Sequence, residues 1–388
     1  MSVTAPKGFR ASGVTAGIKA SGRPDVALVV NDGPLQSAAA VFTSNRFPAA
    51  PVLWSRQVIA DGELHAVILN SGGANACTGP EGFADTHATA EHVAQIISAS
   101  GRQTGAGDIA VCSTGLIGER LPMDLLLAGC DAAWESVSDD GGAAAAEAIM
   151  TTDTVSKTSV ASARGVTLAG MAKGAGMLAP GLATMLVVLT TDAVADPALL
   201  DRVLRQATRV TFDRIDSDGC MSTNDTVLIM ASGASDIELA EDELAALVTS
   251  VCADLAFQLI HDAEGASKDI RIDVRHAADD DEAVDVARTI SRSNLLKCAI
   301  HGEDPNWGRV LSALGTTAAT FESDAVDVAI NGVWVCRGGA AGESREGVDM
   351  SGREVVITVD LAAGEAGATL WTNDLTADYV HENSAYST

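Results

Sequence analysis

Short apolar runs recur along the first two thirds of the chain and predict β-strands. They cover residues 26–30, 38–43, 66–69, 109–112, 185–189 and 226–230. The run at 185–189 is apolar throughout, which is typical of a strand that is buried on both faces. It follows a glycine-rich segment, so a turn that leads into a core strand is the simplest interpretation of this part of the chain.

Between these runs the apolar positions take a helical spacing. We expect helices over residues 84–98, 197–207 and 244–259. Asp196 precedes the second helix, where its carboxylate can cap the first backbone N–H groups, and Pro197 suits the first turn. The apolar face of the third helix consists of Leu244, Leu247, Val248, Val251, Leu255 and Leu259.

The C-terminal part of the chain contains further strand patterns. Residues 269–275 alternate strictly between apolar and charged, as in a strand with one solvated face. The four acids at 279–282 complement the dipole of a helix that starts there, so we interpret them as structural and not as a calcium site. Asn331-Gly332 predicts a type I′ hairpin turn. Residues 354–361 and 368–372 add two strands.

Blocks of strands and helices alternate without a regular β-α-β rhythm. This order favours an α/β protein of the α+β type, with stacked mixed sheets flanked by helices, over a doubly wound nucleotide-binding fold. The chain has no Gly-x-Gly-x-x-Gly after a strand and no P-loop, so we expect no nucleotide site. We expect a smaller C-terminal α/β lobe at roughly 280–388.

The formal net charge is −27, with 52 acidic against 25 basic residues. A surface this negative repels nucleic acids and anionic membranes, so we expect neither as a partner. No apolar run approaches the roughly 20 residues that span a bilayer, and residues 1–30 lack the apolar core of a signal peptide. An anionic substrate would need a local cation.

The cysteine and histidine spacings predict neither disulfides nor a metal site. Seven cysteines are scattered without a Cys-x-x-Cys pair, and His87 and His92 do not share a helical face. We expect Cys112, Cys252 and Cys298 to be inert core thiols. These features fit a cytoplasmic protein that uses no metal and no organic cofactor.

The segment 173–189 offers a chemical interpretation besides the turn. Gly174, Gly176 and Gly181 allow strained backbone angles just before Thr184, whose hydroxyl opens the apolar run. If the Ala183–Thr184 bond breaks, Thr184 becomes an N-terminal nucleophile with its own α-amine as the general base. The pKa of such an amine is about 7.7–8.

Four other places are candidates for the chemistry. Thr114 and Gly115 follow the 109–112 run in a small-residue segment that could turn its backbone N–H groups toward an oxyanion, or could simply be a tight turn. Lys173, which we expect on the same loop as the Ala183–Thr184 bond, is either a solvated surface residue or the cation for a carboxylate. Glu264, just past the long helix, is either an exposed helix end or a functional acid. For the loop at 304–309, packing and site building fit equally well.

Together these segments resemble the ornithine acetyltransferase (glutamate N-acetyltransferase) family of arginine biosynthesis, over essentially the whole chain. The matching motifs are Ala16-Gly-Ile-Lys19, Ala39-Ala-Val-Phe-Thr43, Asn70-Ser-Gly-Gly-Ala-Asn-Ala76, Cys112-Ser-Thr-Gly115, Met150-Thr-Thr-Asp153, Met177-Leu-Ala-Pro180 with Ala183-Thr-Met-Leu186, Ser222-Thr-Asn-Asp-Thr226, Asp262-Ala-Glu-Gly265, Asp304-Pro-Asn-Trp-Gly-Arg309 and Glu382-Asn-Ser-Ala-Tyr-Ser-Thr388. Each motif is short, but ten in the family's order are specific.

The resemblance implies a self-cleaving enzyme with an αββα-like sandwich. Cleavage at Ala183–Thr184 gives an α chain, 1–183, and a β chain, 184–388, which pair as an (αβ)₂ heterotetramer. Thr184 is the nucleophile, and Thr114 with Gly115 forms the oxyanion hole. The implied substrate contacts are Thr151, Lys173, Thr184, Glu264, Asn383 and Thr388. Cys220 and Met221 stand where the family usually has small hydroxylated or acidic residues, which argues against a role for these two side chains.

The implied reaction moves the acetyl group of N2-acetylornithine to glutamate through an ester on Thr184. Three alternatives stay open at this point. The enzyme is bifunctional if it also takes acetyl groups from acetyl-CoA. It is an amidase or aminopeptidase with an N-terminal nucleophile if water resolves the acyl-enzyme. It is a scaffold or binding protein if the chain stays uncleaved.

Overall fold

The computed structural model describes residues 2–178 and 185–385, which form three β-sheets and ten α-helices. The strands are β1 (Phe9–Val14), β2 (Val26–Asn31), β3 (Ser37–Phe42), β4 (Ala66–Gly73), β5 (Ile109–Leu116), β6 (Lys157–Ala163), β7 (Val166–Lys173), β8 (Leu186–Thr191), β9 (Thr226–Ala231), β10 (Asp269–Ala277), β11 (Asp327–Ile330), β12 (Val333–Arg337), β13 (Ala340–Ala341), β14 (Glu354–Asp360) and β15 (Ala366–Asn373). The helices are α1 (Ala50–Val58), α2 (Gly79–Ala99), α3 (Met123–Glu135), α4 (Gly142–Ala148), α5 (Pro197–Val210), α6 (Glu241–His261), α7 (Asp280–Ser291), α8 (Asn294–His301), α9 (Trp307–Leu314) and α10 (Ala377–Ala385).

Two sheets pack face to face between layers of helices. The first has the strand order β1-β2-β4-β5, and the second has the order β3-β9-β8-β7-β6. Leu69 of β4 and Leu228 of β9 share the core between the sheets. On the outer faces, Ile68 packs with α2 and α3, and Val187 packs with α5 and α6. Successive strand residues point to opposite faces of a sheet, so each strand contributes side chains to the core between the sheets and to the core under the outer helices. The predicted αββα sandwich is confirmed.

Helix α6 is the longest apolar helix on the outer face of the second sheet. Within the described residues it is the one helix that is long and apolar enough to cross a membrane, with a mean hydropathy of 1.6. Buried core helices meet the same criterion, and here Val251 and Leu255 are 0% exposed against the sheet. Its apolar face therefore serves the sandwich core.

The third sheet lies in the C-terminal part of the chain and has the order β13-β12-β11-β14-β10-β15. Helices α7, α8 and α9 contribute to its core. The β11–β12 turn places Asn331 at φ 46° and Gly332 at φ 82°, which confirms the type I′ turn. Asp196 and Asp279 cap α5 and α7 through the N–H groups of the third helical residues, at 2.8 Å in both cases.

The structure also corrects three expectations. The segment after Cys112 is not a turn, because β5 continues to Leu116 in parallel pairing with β4. Lys173 is the last residue of β7 and is not part of a loop. Cys298 is exposed, although Cys112 and Cys252 are buried as expected. Burial raises the pKa of the Cys112 thiol to about 12, so that thiol is inert at neutral pH.

Candidate active site

A cavity of about 170 Å³ collects the candidate residues at one end of the sandwich. It lies where β5 and β7 end and where β9 begins. Six of the expected site residues line it: Thr114, Gly115, Thr151, Lys173, Glu264 and Asn383. Thr184 and Thr388 lie outside the described residues. These six residues come from five different parts of the chain, and the fold brings them to one cavity.

The ends of β4 and β5 form the wall that carries Thr114 and Gly115. Gly115 has φ 133°, a conformation that residues with side chains rarely adopt. A Cβ at this position would lie 2.5 Å from the Gly73 nitrogen, so the two strands approach too closely for any residue but glycine. Thr114 is 3% exposed, and its hydroxyl oxygen accepts a hydrogen bond from Lys173 of the second sheet.

Lys173 reaches this wall from the second sheet. Its Nζ donates a hydrogen bond to Thr114 Oγ1 at 3.2 Å, and the side chain is 1% exposed. Burial lowers the pKa of Lys173, and the nearby Asp153 carboxylate opposes that shift. A buried ammonium at a cavity excludes the solvated-surface interpretation. It leaves a cation available to an anionic ligand in a strongly acidic protein.

Asp153 organises the charges below the cavity. Its Oδ1 accepts hydrogen bonds from Lys157 Nζ and the Gly174 N–H, each at 2.7 Å, and its Oδ2 accepts from the Thr151 N–H at 2.9 Å. Burial alone would raise the pKa of Asp153, but Lys173 and Lys157 outweigh it and lower the pKa to about 2. The carboxylate thus fixes both Thr151 and the backbone that follows Lys173.

A second acid, Asp262, completes this buried group. It accepts a hydrogen bond from Lys157 Nζ at 2.6 Å and one from the Thr154 N–H at 3.0 Å. Because Lys157 is 0% exposed, its ammonium depends on Asp153 and Asp262 for solvation. Sequence reasoning missed all three, although the motifs at 150–153 and 262–265 were part of the family resemblance.

Glu264 and Asn383 close the opposite side of the cavity. Asn383 Nδ2, on α10, donates to Glu264 Oε2 at 2.9 Å. The Glu264 N–H donates to the Ala175 carbonyl oxygen at 3.0 Å, and its carboxylate lies against Gly176, where a Cβ would come within 2.7 Å of Oε2. Because Glu264 lines the cavity, the structure favours a functional acid over the alternative of an exposed helix end.

Met185, the residue that precedes β8, lies beside the start of β9. The Met185 N–H donates to Asp225 Oδ1 at 3.0 Å, and Asp225 is 0% exposed. Burial raises the pKa of Asp225 well above its usual value. Asn224 Nδ2 donates to the Ala74 and Ser113 carbonyl oxygens at 2.6 and 2.8 Å, which ties the start of β9 to the first sheet.

The two unusual residues at 220–221 have different surroundings. Cys220 is exposed overall and lines the cavity. Partial desolvation of its thiol, together with the nearby carboxylates of Asp218 and Asp216, raises the pKa of that thiol. Met221 points elsewhere, since its Sδ accepts a hydrogen bond from Ser44 Oγ at 3.3 Å. The loop at 304–309 packs away from the cavity, with Asn306 capping α9. In residues 2–178 and 185–385, no three His, Cys, Asp or Glu side chains come together as metal ligands.

Known proteins similar to this chain share its whole length. The model of the ArgJ family matches residues 10–388. An "Arginine biosynthesis bifunctional protein ArgJ" from Streptomyces coelicolor is 69% identical over 387 residues, which is 100% of both chains. A protein of the same name from Thermobifida fusca is 63% identical over 388 residues, again over 100% of both chains.

Solved structures are similar to parts of the chain. Ornithine acetyltransferase from Mycobacterium tuberculosis, complexed with ornithine, is 57% identical and matches with a TM-score of 0.44 over 48% of this chain and 96% of that chain. The arginine biosynthesis bifunctional protein from Bacillus halodurans is 36% identical, with a TM-score of 0.47 over 51% of this chain and 97% of that chain.

Proposed function

The chain belongs to the ArgJ family of arginine-biosynthesis enzymes, and from this we propose that it transfers the acetyl group of N2-acetylornithine to glutamate through an acetyl ester on Thr184. The observation that carries the proposal is the cavity, which gathers six of the expected site residues around the buried ammonium of Lys173. Both substrates are small amino acids with an α-carboxylate, which such a cation can bind.

Self-cleavage at Ala183–Thr184 creates the nucleophile. It converts the peptide nitrogen of Thr184 into an α-amine, which then serves as the general base for the threonine hydroxyl. Cleavage divides the precursor into residues 1–183 and 184–388. Support comes from the glycine-rich sequence before Thr184 and from Met185, which is fixed at the mouth of β8 beside the cavity.

In the first half of the reaction, Thr184 Oγ bonds to the acetyl carbonyl carbon, and its proton passes to the α-amine. Thr114 and Gly115 stabilise the oxyanion. The carbon–nitrogen bond then breaks, and ornithine leaves with the proton. In the second half, the amine of glutamate attacks the ester carbon and N-acetylglutamate forms as the Thr184 hydroxyl is regenerated. Thr151, Lys173, Glu264, Asn383 and Thr388 are the proposed substrate contacts.

Glu264 and Asn383 suit the recognition of the rest of the substrate. Glu264 is an acid at a cavity that also contains Lys173, so the two ends of a zwitterionic ligand meet opposite charges. Asn383 holds the Glu264 carboxylate at 2.9 Å and thereby sets its direction. The acid thus supplies a partner for the side-chain ammonium of ornithine.

A second activity, acetylation of glutamate by acetyl-CoA, is proposed because the S. coelicolor and T. fusca relatives carry the word bifunctional in their names. The same acetyl-threonine ester would form in both activities, with only the donor changed. We propose the cytoplasm as the location and an (αβ)₂ heterotetramer as the assembly, both as the family resemblance implies.

The decisive experiment combines a denaturing gel with product analysis. Purified protein is expected to run as two fragments, and N-terminal sequencing of the second is expected to begin Thr-Met-Leu-Val. Thr184→Ala is expected to remain one inactive chain, while Thr190→Ser, a conservative change further along β8, serves as the cleaved control. Processing that persists in Thr184→Ala would overturn the mechanism.

Incubation of the cleaved enzyme with acetylornithine, with and without glutamate, separates the transferase from an amidase. The transferase yields ornithine in stoichiometric amounts with N-acetylglutamate and depends on glutamate. Ornithine together with free acetate, formed at the same rate without glutamate, would instead identify a hydrolase. Replacing acetylornithine by acetyl-CoA tests the second activity directly.

A further inference from the structure

Two acids and a tyrosine share one side of the active-site cavity. Glu264, Asp218 and Tyr379 all line it. The pKa of the Tyr379 hydroxyl is raised to about 12, chiefly by burial. The acidic groups of Asp218, Cys220 and Glu264 contribute to the same shift, so all three lie near the hydroxyl. The hydroxyl therefore keeps its proton at neutral pH and can donate a hydrogen bond to a ligand in the cavity.

Backbone contacts hold Tyr379 at this wall. Its N–H donates to Thr376 Oγ1 at 2.9 Å, and its carbonyl oxygen accepts from Asn383 Nδ2 at 3.0 Å. Gly265 packs against the start of α10 so closely that a Cβ there would lie 2.2 Å from the Tyr379 nitrogen. Among residues 2–178 and 185–385, the hydroxyl itself has no hydrogen-bond partner. The phenol is thus a positioned donor at the cavity.

The two substrates of the proposed reaction bring opposite charges to this wall. Both have an α-carboxylate, which Lys173 can bind, but the side chain of ornithine ends in an ammonium and that of glutamate ends in a carboxylate. Glu264 and Asp218 attract the ammonium and repel the carboxylate. A cavity that serves both substrates therefore needs a hydrogen-bond donor here that carries no charge of its own.

We propose that Tyr379 forms a subsite for the side-chain carboxylate of glutamate, to which its hydroxyl donates a hydrogen bond in the second half of the reaction. The inference rests on the proposed function. A hydroxyl suits both half-reactions, because it can donate to a carboxylate and accept from an ammonium. For ornithine, however, Glu264 and Asp218 are the stronger acceptors, so the hydroxyl matters mainly for glutamate.

A buried cation lies next to Asp218 and Tyr379. These two residues also line a second cavity, of about 70 Å³, together with Lys297. Lys297 is 5% exposed, and its Nζ donates to a backbone carbonyl and a threonine hydroxyl, but to no carboxylate among the described residues. Asp374 lines the same cavity and forms a hydrogen bond with His301 Nδ1 at 2.9 Å. The charge of Lys297 therefore offsets part of the negative charge at this wall, which favours a further carboxylate.

The test is the kinetics of cleaved wild-type enzyme and cleaved Tyr379→Phe, which lacks only the hydroxyl. In a two-step exchange, kcat/KM for each substrate reports its own half-reaction. We expect kcat/KM for glutamate to fall about ten- to a hundredfold, as for the loss of one hydrogen bond to a charged group. The value for acetylornithine should stay nearly unchanged. Val380→Ala, at the next position on α10 and 58% exposed, is the control.

A change of acceptor separates a lost contact from a damaged site. Norvaline has a methyl group in place of the side-chain carboxylate, so we expect it to be an equally poor acceptor in the wild type and in Tyr379→Phe. An unchanged kcat/KM for glutamate in the variant overturns the subsite. An equal fall for glutamate, norvaline and acetylornithine overturns it as well, because the hydroxyl would then support the fold of the site and not the recognition of a carboxylate.

Asp218→Asn decides the matter if Tyr379→Phe does not fold. This change removes a negative charge near the hydroxyl, so kcat/KM is expected to rise for glutamate and to fall for acetylornithine. A fall for glutamate overturns the proposal. If the wild-type enzyme makes no N-acetylglutamate, the proposed function itself fails, and this is seen before any variant is compared.

Discussion

Replacing Asp153 by asparagine should reduce the stability of the protein in a pH-dependent way. The carboxylate accepts three hydrogen bonds, from Lys157 and from the backbone of Gly174 and Thr151, and it is 3% exposed. Asparagine offers one acceptor oxygen in place of two. It also removes the negative charge that faces the ammonium groups of Lys157 and Lys173, both of which are buried.

The magnitude follows from the pKa of Asp153. A fall from 3.8 to about 2 corresponds to roughly 2.5 kcal/mol of folding free energy, at about 1.4 kcal/mol per pH unit. Because the pKa is lower in the folded state, this contribution is complete above the unfolded pKa and is lost as the pH falls toward the folded one. About half remains at pH 3. For a chain of this length, the loss at pH 7 lowers Tm by roughly 2–3 °C.

The assay is thermal unfolding of the wild type and Asp153→Asn between pH 7 and pH 3. The difference in Tm should be largest at pH 7 and should narrow toward pH 3. Asp254→Asn, on the exposed face of α6, is the matched control and should change Tm little at either pH. A difference that stays constant over this pH range refutes the electrostatic reasoning and leaves only a loss of hydrogen bonds.

Three further changes test the site in cleaved enzyme. Thr114→Val should lower kcat by about 10²–10³ with little change in KM, and an effect on KM alone would contradict its place in the oxyanion hole. Lys173→Met should lower kcat/KM for acetylornithine and for glutamate by about ten- to a hundredfold, and unchanged values for both would place the carboxylate partner elsewhere. Gly176→Ala should raise KM about tenfold, because its Cβ would displace the Glu264 carboxylate. Gly308→Ala is the control, because the new Cβ would meet Asn306 Oδ1 at an ordinary contact distance of 3.6 Å.

The sequence predicted those features of the fold that depend on interactions between neighbouring residues. The cap at Asp196, the helix start at the acids 279–282 and the turn at Asn331-Gly332 depend only on neighbouring residues, and the structure has all three. The β6–β7 hairpin was missed. Its strands are rich in Ala, Ser and Thr, so no apolar period marks them. The hairpin joins the sheet through the pairing of β7 with β8.

For the site, too, the sequence predicted some residues but not the partners that hold them. The family resemblance named Thr114, Lys173 and Glu264, and the structure brings them to one cavity. The partners of these residues could not be read from the chain. Asp153 and Lys157 are four residues apart, a spacing that is common among surface ion pairs and does not predict burial. The packing of α6 against β6 buries the pair and brings it to the cavity.

The strand order of the second sheet, β3-β9-β8-β7-β6, has a consequence for the fate of a processed molecule. A break between residues 178 and 185 leaves β8 and β9 enclosed between β3 on one side and β7 on the other. The two fragments are therefore interleaved, not merely docked. They can separate only if the second sheet unfolds. When cleaved molecules with different isotope labels are mixed, we therefore expect no exchange of fragments between them, even in dilute solution. If the chain is cleaved as proposed, the two fragments of one precursor therefore stay together for as long as the sheet remains folded.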